Sequence, residues 1–303
     1  MNIYADTTQR ILKKLDEGVI PWRKTWASGL PASLATGREY RGINILILST
    51  AGYASRHWVT FREALRLGGN VRKGEKGTPV IYWHWRTPEE LAKLQERSGK
   101  ADLAPCVPFT SAVFNLEQVD GVPPPEDCLI HNHNRRMELA DNLFDVMPDK
   151  PEIVHSSMNE PSYSWREDRV ALPHLSQFEN ADEYYATLFH ELVHASGHVR
   201  RLDRQSEQEG DAIERYSFEE LVAEFGAAFL CGFSGIDNAG TEALAASYIH
   251  GWAEKLRNDP RLVMRAASAA QRAADYIRGK IVIDGKPFGE KERRIVAATH
   301  NVA

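Results

Sequence analysis

Two histidines and a glutamate stand in the spacing His190-Glu191-Leu192-Val193-His194. On an α-helix, residues four apart project from one face, so both imidazoles can grip one metal ion while Glu191 reaches water at that ion without ligating it. Neutral imidazole nitrogens suit zinc, with manganese the other divalent candidate. Two histidines leave a third protein ligand to be found. Glu220-Leu221-Val222-Ala223-Glu224 begins 26 residues after His194 and carries two carboxylates on one helical face. Glu220 is the expected ligand and Glu224 the expected support behind a ligand histidine, with Glu224 as ligand the alternative. Ser217, three residues before Glu220, permits a competing reading in which Glu220 only closes a capping box. A third histidine ligand is excluded, because H-E-x-x-H-x-x-G-x-x-H requires it at position 200, which is Arg200. His198 is then a helix-end residue or a group at the edge of the site.

The chemistry such a set supports is metal-assisted attack of water on a peptide carbonyl. Glu191 would serve as the general base and then hand the proton to the leaving amine. Tyr163, Tyr216 and His198 are candidates for stabilising the developing oxyanion. Val170-Ala171-Leu172 is a candidate edge strand for holding an extended peptide by its main chain.

These side chains meet only if particular segments fold around them. Apolar periodicity and end signals predict helices at about Ala181–Ser196, Phe218–Cys231, Glu242–Leu256 and from Pro260 to Arg278. A helix at Arg136–Met147 and strands at Glu152–His155 and Arg169–Leu172 precede them. Earlier in the chain, Thr8–Glu17 reads as a helix ending at Gly18, and Val19–Trp22 leaves it in extended form. Thr60 and Glu63 form a capping-box pattern before a short helix that closes at Gly68-Gly69. Pro79–Trp85 and Ser111–Leu116 read as strands, with a charged helical insertion at Glu89–Leu103 between them. Asp120-Gly121-Val122-Pro123-Pro124-Pro125 has the composition of a linker. The fold class expected is α+β: a mixed α/β domain over residues 1–120, a linker at 121–130, a small sheet followed by helices over 131–280, and a tail at 281–303.

Charge divides unevenly along this frame. Residues 1–86 carry 14 Lys/Arg against 6 Asp/Glu, a net of +8, while residues 87–303 carry 23 against 36, a net of −13, which together give the −5 of the whole chain. The first 86 residues also hold five of the seven tryptophans. Interleaved basic and aromatic residues suit a single-stranded polyanion, in which cations meet phosphates and aromatic faces stack on unpaired bases. Arg38, Arg41, Arg72, Lys73 and Lys76 are the phosphate candidates, and Trp22, Tyr40 and Trp58 the stacking candidates. The candidate stretch Ile43 to Leu48 is six residues even counting Asn44, far short of a membrane span. The three cysteines are dispersed and the first residues carry no export signal, so a reducing cytoplasm is the expected location.

Several longer segments, in order, resemble one known family over nearly the whole chain. They are Gly18-Val19-Ile20-Pro21-Trp22, Gly37-Arg38-Glu39-Tyr40-Arg41-Gly42-Ile43-Asn44 and Gly68-Gly69-Asn70-Val71-Arg72-Lys73-Gly74-Glu75-Lys76-Gly77. Tyr184-Tyr185-Ala186-Thr187-Leu188, His190 through His198 with Arg201-Leu202, and Glu219-Glu220-Leu221-Val222-Ala223-Glu224 follow. The chain is identified by these as a member of the ArdC-type antirestriction proteins of conjugative plasmids. The resemblance implies an N-terminal domain that binds single-stranded DNA without sequence preference and a C-terminal zincin-like metallopeptidase domain, serving to protect incoming plasmid DNA from host restriction. It implies His190, His194 and Glu220 as metal ligands and Glu191 as catalytic base. The peptide or protein substrate is unknown, with host restriction machinery one candidate. Related N-terminal segments accompany plasmid primases, but no primase or helicase motif occurs in these 303 residues. The intact Glu191 favours an active peptidase over the alternative, a protein that coats single-stranded DNA and keeps its zincin domain as scaffold.

Overall fold

The computed structural model describes residues 2–23, 29–100, 103–125, 133–157, 160–206, 211–238 and 251–281. The chain divides into two compact units, Met1–Pro21 with Leu30–Asp127, and Trp22–Gly29 with Cys128–Ala303. The uninterrupted domain expected over residues 1–120 is therefore corrected: residues 22–29 leave it and belong to the second unit. The chain does not run straight through Val19–Trp22 but turns at Pro21-Trp22. The expected tail beyond 281 and the linker residues 126–130 lie outside the described residues.

The first unit opens with helix α1, Ile3–Asp16, whose first amides are capped by the side chain of Asn2. Its main sheet has the order β1-β2-β5-β4, formed by β1 Ala32–Ser33, β2 His57–Thr60, β4 Thr78–Trp85 and β5 Cys106–Asn115. A separate ribbon pairs β3, Asn70–Val71, with β6, Val119–Asp120. Strand β5 begins five residues before the expected start at Ser111, because it pairs along the full length of β4 from Thr78↔Val113 to Trp85↔Cys106. The apolar run Ile43–Ser49 forms α2, most of it buried. From α2, the Asn44 side chain bonds both the N–H and the carbonyl of Ile81 on the outer edge of β4, at 2.7 and 2.8 Å. Helix α3, Phe61–Arg66, carries the expected capping box of Thr60 and Glu63, and α4, Pro88–Ser98, has its own from Thr87 and Glu90.

The second unit begins its described C-terminal part with α5, His133–Val146. Strands β7 Glu152–Ser156, β8 Ser162–Ser164 and β9 Arg169–Pro173 form a sheet in the order β7-β9-β8. Strand β9 is thus central, paired parallel to β7 and antiparallel to β8. This corrects the expectation that Val170–Leu172 is an edge strand: its main-chain groups are taken on both sides, and the free edges belong to β7 and β8. Helix α6 spans Ala181–Ser196, capped by Asn180, and α7 spans Ala212–Ser234, capped by Asp211 with Glu214. Helix α8 is described over residues 251–258, and α9 is Leu262–Ile277. Helices α6 and α7 pack on each other and both pack on the alanine-rich α9. The close approach of α6 and α7 depends on Gly226, where a Cβ would stand 2.6 Å from a methyl of Val193.

Candidate metal centre

Helix α6 has an apolar side formed by Leu188, Leu192 and Val193, all in the core. That packing fixes the rotation of the helix and turns His190 and His194 toward α7. Helix α7 is apolar nearly all round and largely buried, so its carboxylates must find partners or destabilise the fold. Glu220 lies across from both imidazoles. The Nε2 atoms of His190 and His194 are 3.2 Å apart, and Glu220 places its two oxygens 3.6 and 3.5 Å from them. Each of the three residues has a ligand atom within 4.8 Å of the others, the one such group of three or more potential ligands among the described residues. Two imidazole nitrogens and a carboxylate oxygen at this spacing fit a single divalent ion.

The competing reading of Glu220 fails on helix length. Helix α7 starts six residues earlier than expected, so Ser217 is interior and its hydroxyl donates to the carbonyl of Ile213. Glu220 caps nothing.

Behind the ligands, each histidine presents its Nδ1 to another carboxylate held by an arginine. His194 Nδ1 lies 3.4 Å from Glu219 Oε1, and Arg204 grips both oxygens of Glu219 at 2.5 and 3.2 Å. His190 Nδ1 lies 3.8 Å from Glu224 Oε1, and Arg23 grips Glu224 at 2.8 and 3.3 Å. Glu224 thus stands behind His190, on the side away from Glu220. Glu219, Arg204 and Arg23 also stand at the site, and the motif spacing marks none of them. The available signal is that the three carboxylates in the largely buried stretch from Ser217 to Ser234 each require a partner.

The electrostatics follow from burial and these pairs. Burial works against a charge on His190, but the hydrogen bond to Glu220 and the charges of Glu224, Glu191 and Glu220 outweigh it and raise its pKa to about 9. Burial is also the largest influence on Glu220, yet the two histidines and a hydrogen bond with Tyr216 keep its pKa below the ordinary range. Glu219 is buried as well, but the charge of Arg204 and the hydrogen bonds from His194 and Arg204 hold it at about 2. Glu191 is only 6% exposed. Burial raises its pKa; the two histidines pull it back and Glu220 adds to the rise.

The three oxyanion candidates separate. The Tyr163 hydroxyl donates to Asp168 at 2.7 Å, and Asp168 is paired with Arg201 at 2.7 and 3.0 Å. His198 stacks on Trp165 with its Nδ1 3.9 Å from the same Asp168. Both belong to a structural cluster around Asp168. Tyr216, one turn before Glu220 on α7, hydrogen-bonds that ligand and is exposed.

Two of the stacking candidates are corrected. Trp22 is 0% exposed and sits in the second unit against Phe225 and Trp252, at centroid distances of 4.8 and 5.6 Å. Trp58 is 2% exposed, in a cluster with Leu48, Val80 and Val113 and edge-on to Tyr53. Neither ring can receive a base. Tyr40 is half-buried against that cluster and hydrogen-bonded to Tyr82. Arg38, Arg41, Lys73 and Lys76 are exposed, whereas Arg72 is held by Glu75 and Asp120 at 3.0 and 3.4 Å and also donates to the carbonyl of Glu117. The aromatic surface lies elsewhere, on the β4-β5 hairpin. Tyr82, Trp83, Trp85 and Phe109 are exposed, with Tyr82 and Phe109 opposite one another and stacked at 5.8 Å. Tyr82-Trp83-His84-Trp85 puts rings on both faces of one strand, a pattern that a half-buried strand does not show.

Residues 1–114 match the family model of the N-terminal domain of the anti-restriction factor ArdC, and residues 140–269 match a zincin-like metallopeptidase model. The crystal structure of the metal-free antirestriction ArdC protein from plasmid R388 is 34% identical, covering 92% of this chain and 97% of that one with a TM-score of 0.74. The chain belongs to the ArdC antirestriction family. The manganese(II)-bound structure of the R388 ArdC protein matches with a TM-score of 0.72 at the same identity. A further ArdC relative, y4eC of Sinorhizobium fredii, is 35% identical over 91% of each chain. Two Escherichia coli proteins named DNA primase TraC are 34% identical, but this ArdC-family chain spans only 27% and 19% of their lengths. No helix among its described residues is long and apolar enough to cross a membrane.

Proposed function

We propose that this ArdC-family chain is a metal-dependent peptidase joined to a single-stranded-DNA-binding unit, acting to protect incoming plasmid DNA from restriction during conjugation. The observation that carries the peptidase half is the buried Glu191 between two histidines that converge with Glu220. A buried carboxylate inside this cluster, its pKa raised by burial, is suited to accept a proton from water and pass it on. His190, His194 and Glu220 would hold the ion, zinc or manganese, which supplies Lewis acidity toward water and a peptide carbonyl. Glu191 takes the proton of the attacking water on its carboxylate and delivers it to the amine as the peptide bond breaks. Glu219, 3.4 Å from His194 Nδ1, would accept from that N–H, and Glu224, with Oε1 3.8 Å from His190 Nδ1, would favour the same tautomer through its charge, leaving each Nε2 lone pair for the ion. Tyr216, beside Glu220 and open to solvent, is the group of the three candidates placed to donate to the oxyanion.

The DNA half is supported by the exposed Arg38, Arg41, Lys73 and Lys76 for phosphates and by the exposed rings of the β4-β5 hairpin for bases. The test of the whole reading is entry of unmodified plasmid DNA into a restricting host supplied with the wild-type chain or with Glu191→Ala. Protection by the wild type supports the antirestriction role, and its loss in Glu191→Ala ties that role to hydrolysis. Absence of protection by the wild type contradicts the reading.

A further inference from the structure

Trp22 and Arg23 belong to the second unit and bring their side chains to the back of the candidate metal centre. The Trp22 indole fills the space between Phe225 and Trp252, and its N–H donates to Glu224 Oε2 at 3.3 Å. Asn238 donates to the Trp22 carbonyl at 3.2 Å, which fixes the backbone at that point. Arg23 then meets Glu224 with its fork, Nη2 to Oε1 and Nε to Oε2. Glu224 therefore has both oxygens held by residues from about 200 positions earlier in the chain, while Oε1 faces His190 Nδ1.

We propose that Trp22 and Arg23 are positioning residues of the metal centre, acting through Glu224 on His190. The proposal rests on reading His190, His194 and Glu220 as a metal site. A ligand imidazole binds through Nε2 only in the tautomer whose Nδ1 carries the proton, and a fixed carboxylate behind Nδ1 selects that tautomer and the ring's direction. Glu224 cannot fix a ring unless it is itself fixed. On the His194 side that task falls to Arg204, which lies ten residues beyond the histidine; on the His190 side, among the described residues, the cation that grips Glu224 is Arg23, outside the zincin-like match at residues 140–269. The role falls to Arg23, whose planar fork engages both carboxylate oxygens at once, and to the Trp22 N–H. The metallopeptidase unit is accordingly completed by a segment that the N-terminal family match, residues 1–114, contains.

The test is the affinity of the full chain for zinc and for manganese, measured by competition with a chromophoric chelator. The wild type should bind one ion. Arg23→Ala and Glu224→Gln should each weaken binding by at least about tenfold, the size of loss seen when a ligand's supporting partner is removed. Because both changes break the same link, the double variant should bind about as weakly as the weaker single one. Trp22→Phe, which keeps a ring in the cleft without the N–H, should shift affinity the same way by less. A folded Arg23→Ala chain that binds within twofold of the wild type overturns the proposal, as do losses that multiply in the double variant. Arg23→Gln carries the same comparison if the alanine variant does not fold. A wild-type chain that binds no ion refutes the metal-site reading itself, a different outcome from unchanged affinity in the variants.

Discussion

Glu219→Gln should destabilise the second unit severely although the residue touches no substrate and ligates nothing. Arg204 is almost wholly buried, and the carbonyl of Val193 and the hydroxyl of Ser196, to which it also donates, carry no charge. Removing the anion leaves a buried guanidinium uncompensated, which costs about 3–5 kcal/mol. The same size follows independently from the carboxyl, whose pKa falls from 4.5 to about 2, worth roughly 3 kcal/mol at about 1.4 per unit. Thermal unfolding of the metal-free chain at pH 7 should therefore fall by on the order of 10 °C. Since the folded pKa is depressed, the wild type's advantage is complete above the unfolded pKa and is lost as pH falls through about 2. The gap between wild type and variant should be constant from pH 7 to about 5.5 and narrow below that. Glu219→Gln with Arg204→Met should lose less than the sum of the two single changes by more than about 1 kcal/mol. A Glu219→Gln chain within about 1 kcal/mol of the wild type, or strict additivity in the double variant, would refute the pairing as the source of stability.

Glu220→Gln removes the anionic ligand and should weaken metal binding at least about tenfold; full occupancy in this variant in chelator competition, with loss in Glu224→Gln, would reverse the two assignments. Gly226→Ala places a methyl 2.6 Å from the stiff, branched Val193. The helices must part beside His194, so unfolding should show a loss of about 1–3 kcal/mol and metal affinity should drop with it. Lys73→Ala with Lys76→Ala should flatten the log-affinity against log-salt slope for single-stranded DNA by about 1.4, as expected for two phosphate contacts. Trp85→Ala, at 58% exposure, should weaken binding by about 1–3 kcal/mol with little change in unfolding; Trp58→Ala should do the opposite, costing about 3–5 kcal/mol of stability.

Helix α6 was legible because its signals are local. Asn180 caps it, the apolar residues repeat at helical spacing, and the motif itself fixes which side chains share a face. The start of α7 was not legible: Asp211 with Glu214 is a stronger cap than the Ser217 pattern that competed with it. What could not be read were partnerships across long sequence separations. Nothing near Trp22 says that its ring fills a cleft beside Phe225, and an aromatic residue amid basic ones reads equally as platform or core. Strand order was hidden likewise, since Val170–Leu172 has the same composition whether it is central or at an edge. An aromatic run such as Tyr82–Trp85 suggests burial in the sequence, yet its rings on the β4-β5 hairpin are exposed.

The central claim is that Glu191 is the general base of a metal site built from His190, His194 and Glu220. The most direct measurement is turnover of a peptide library by the metal-loaded wild type and by Glu191→Gln, with metal content and single-strand affinity determined on the same samples. The account predicts one ion per chain and equal DNA binding in both proteins, chelator-sensitive cleavage by the wild type, and a loss of at least about a hundredfold in the variant. A metal-loaded Glu191→Gln chain that cleaves as fast as the wild type would contradict it.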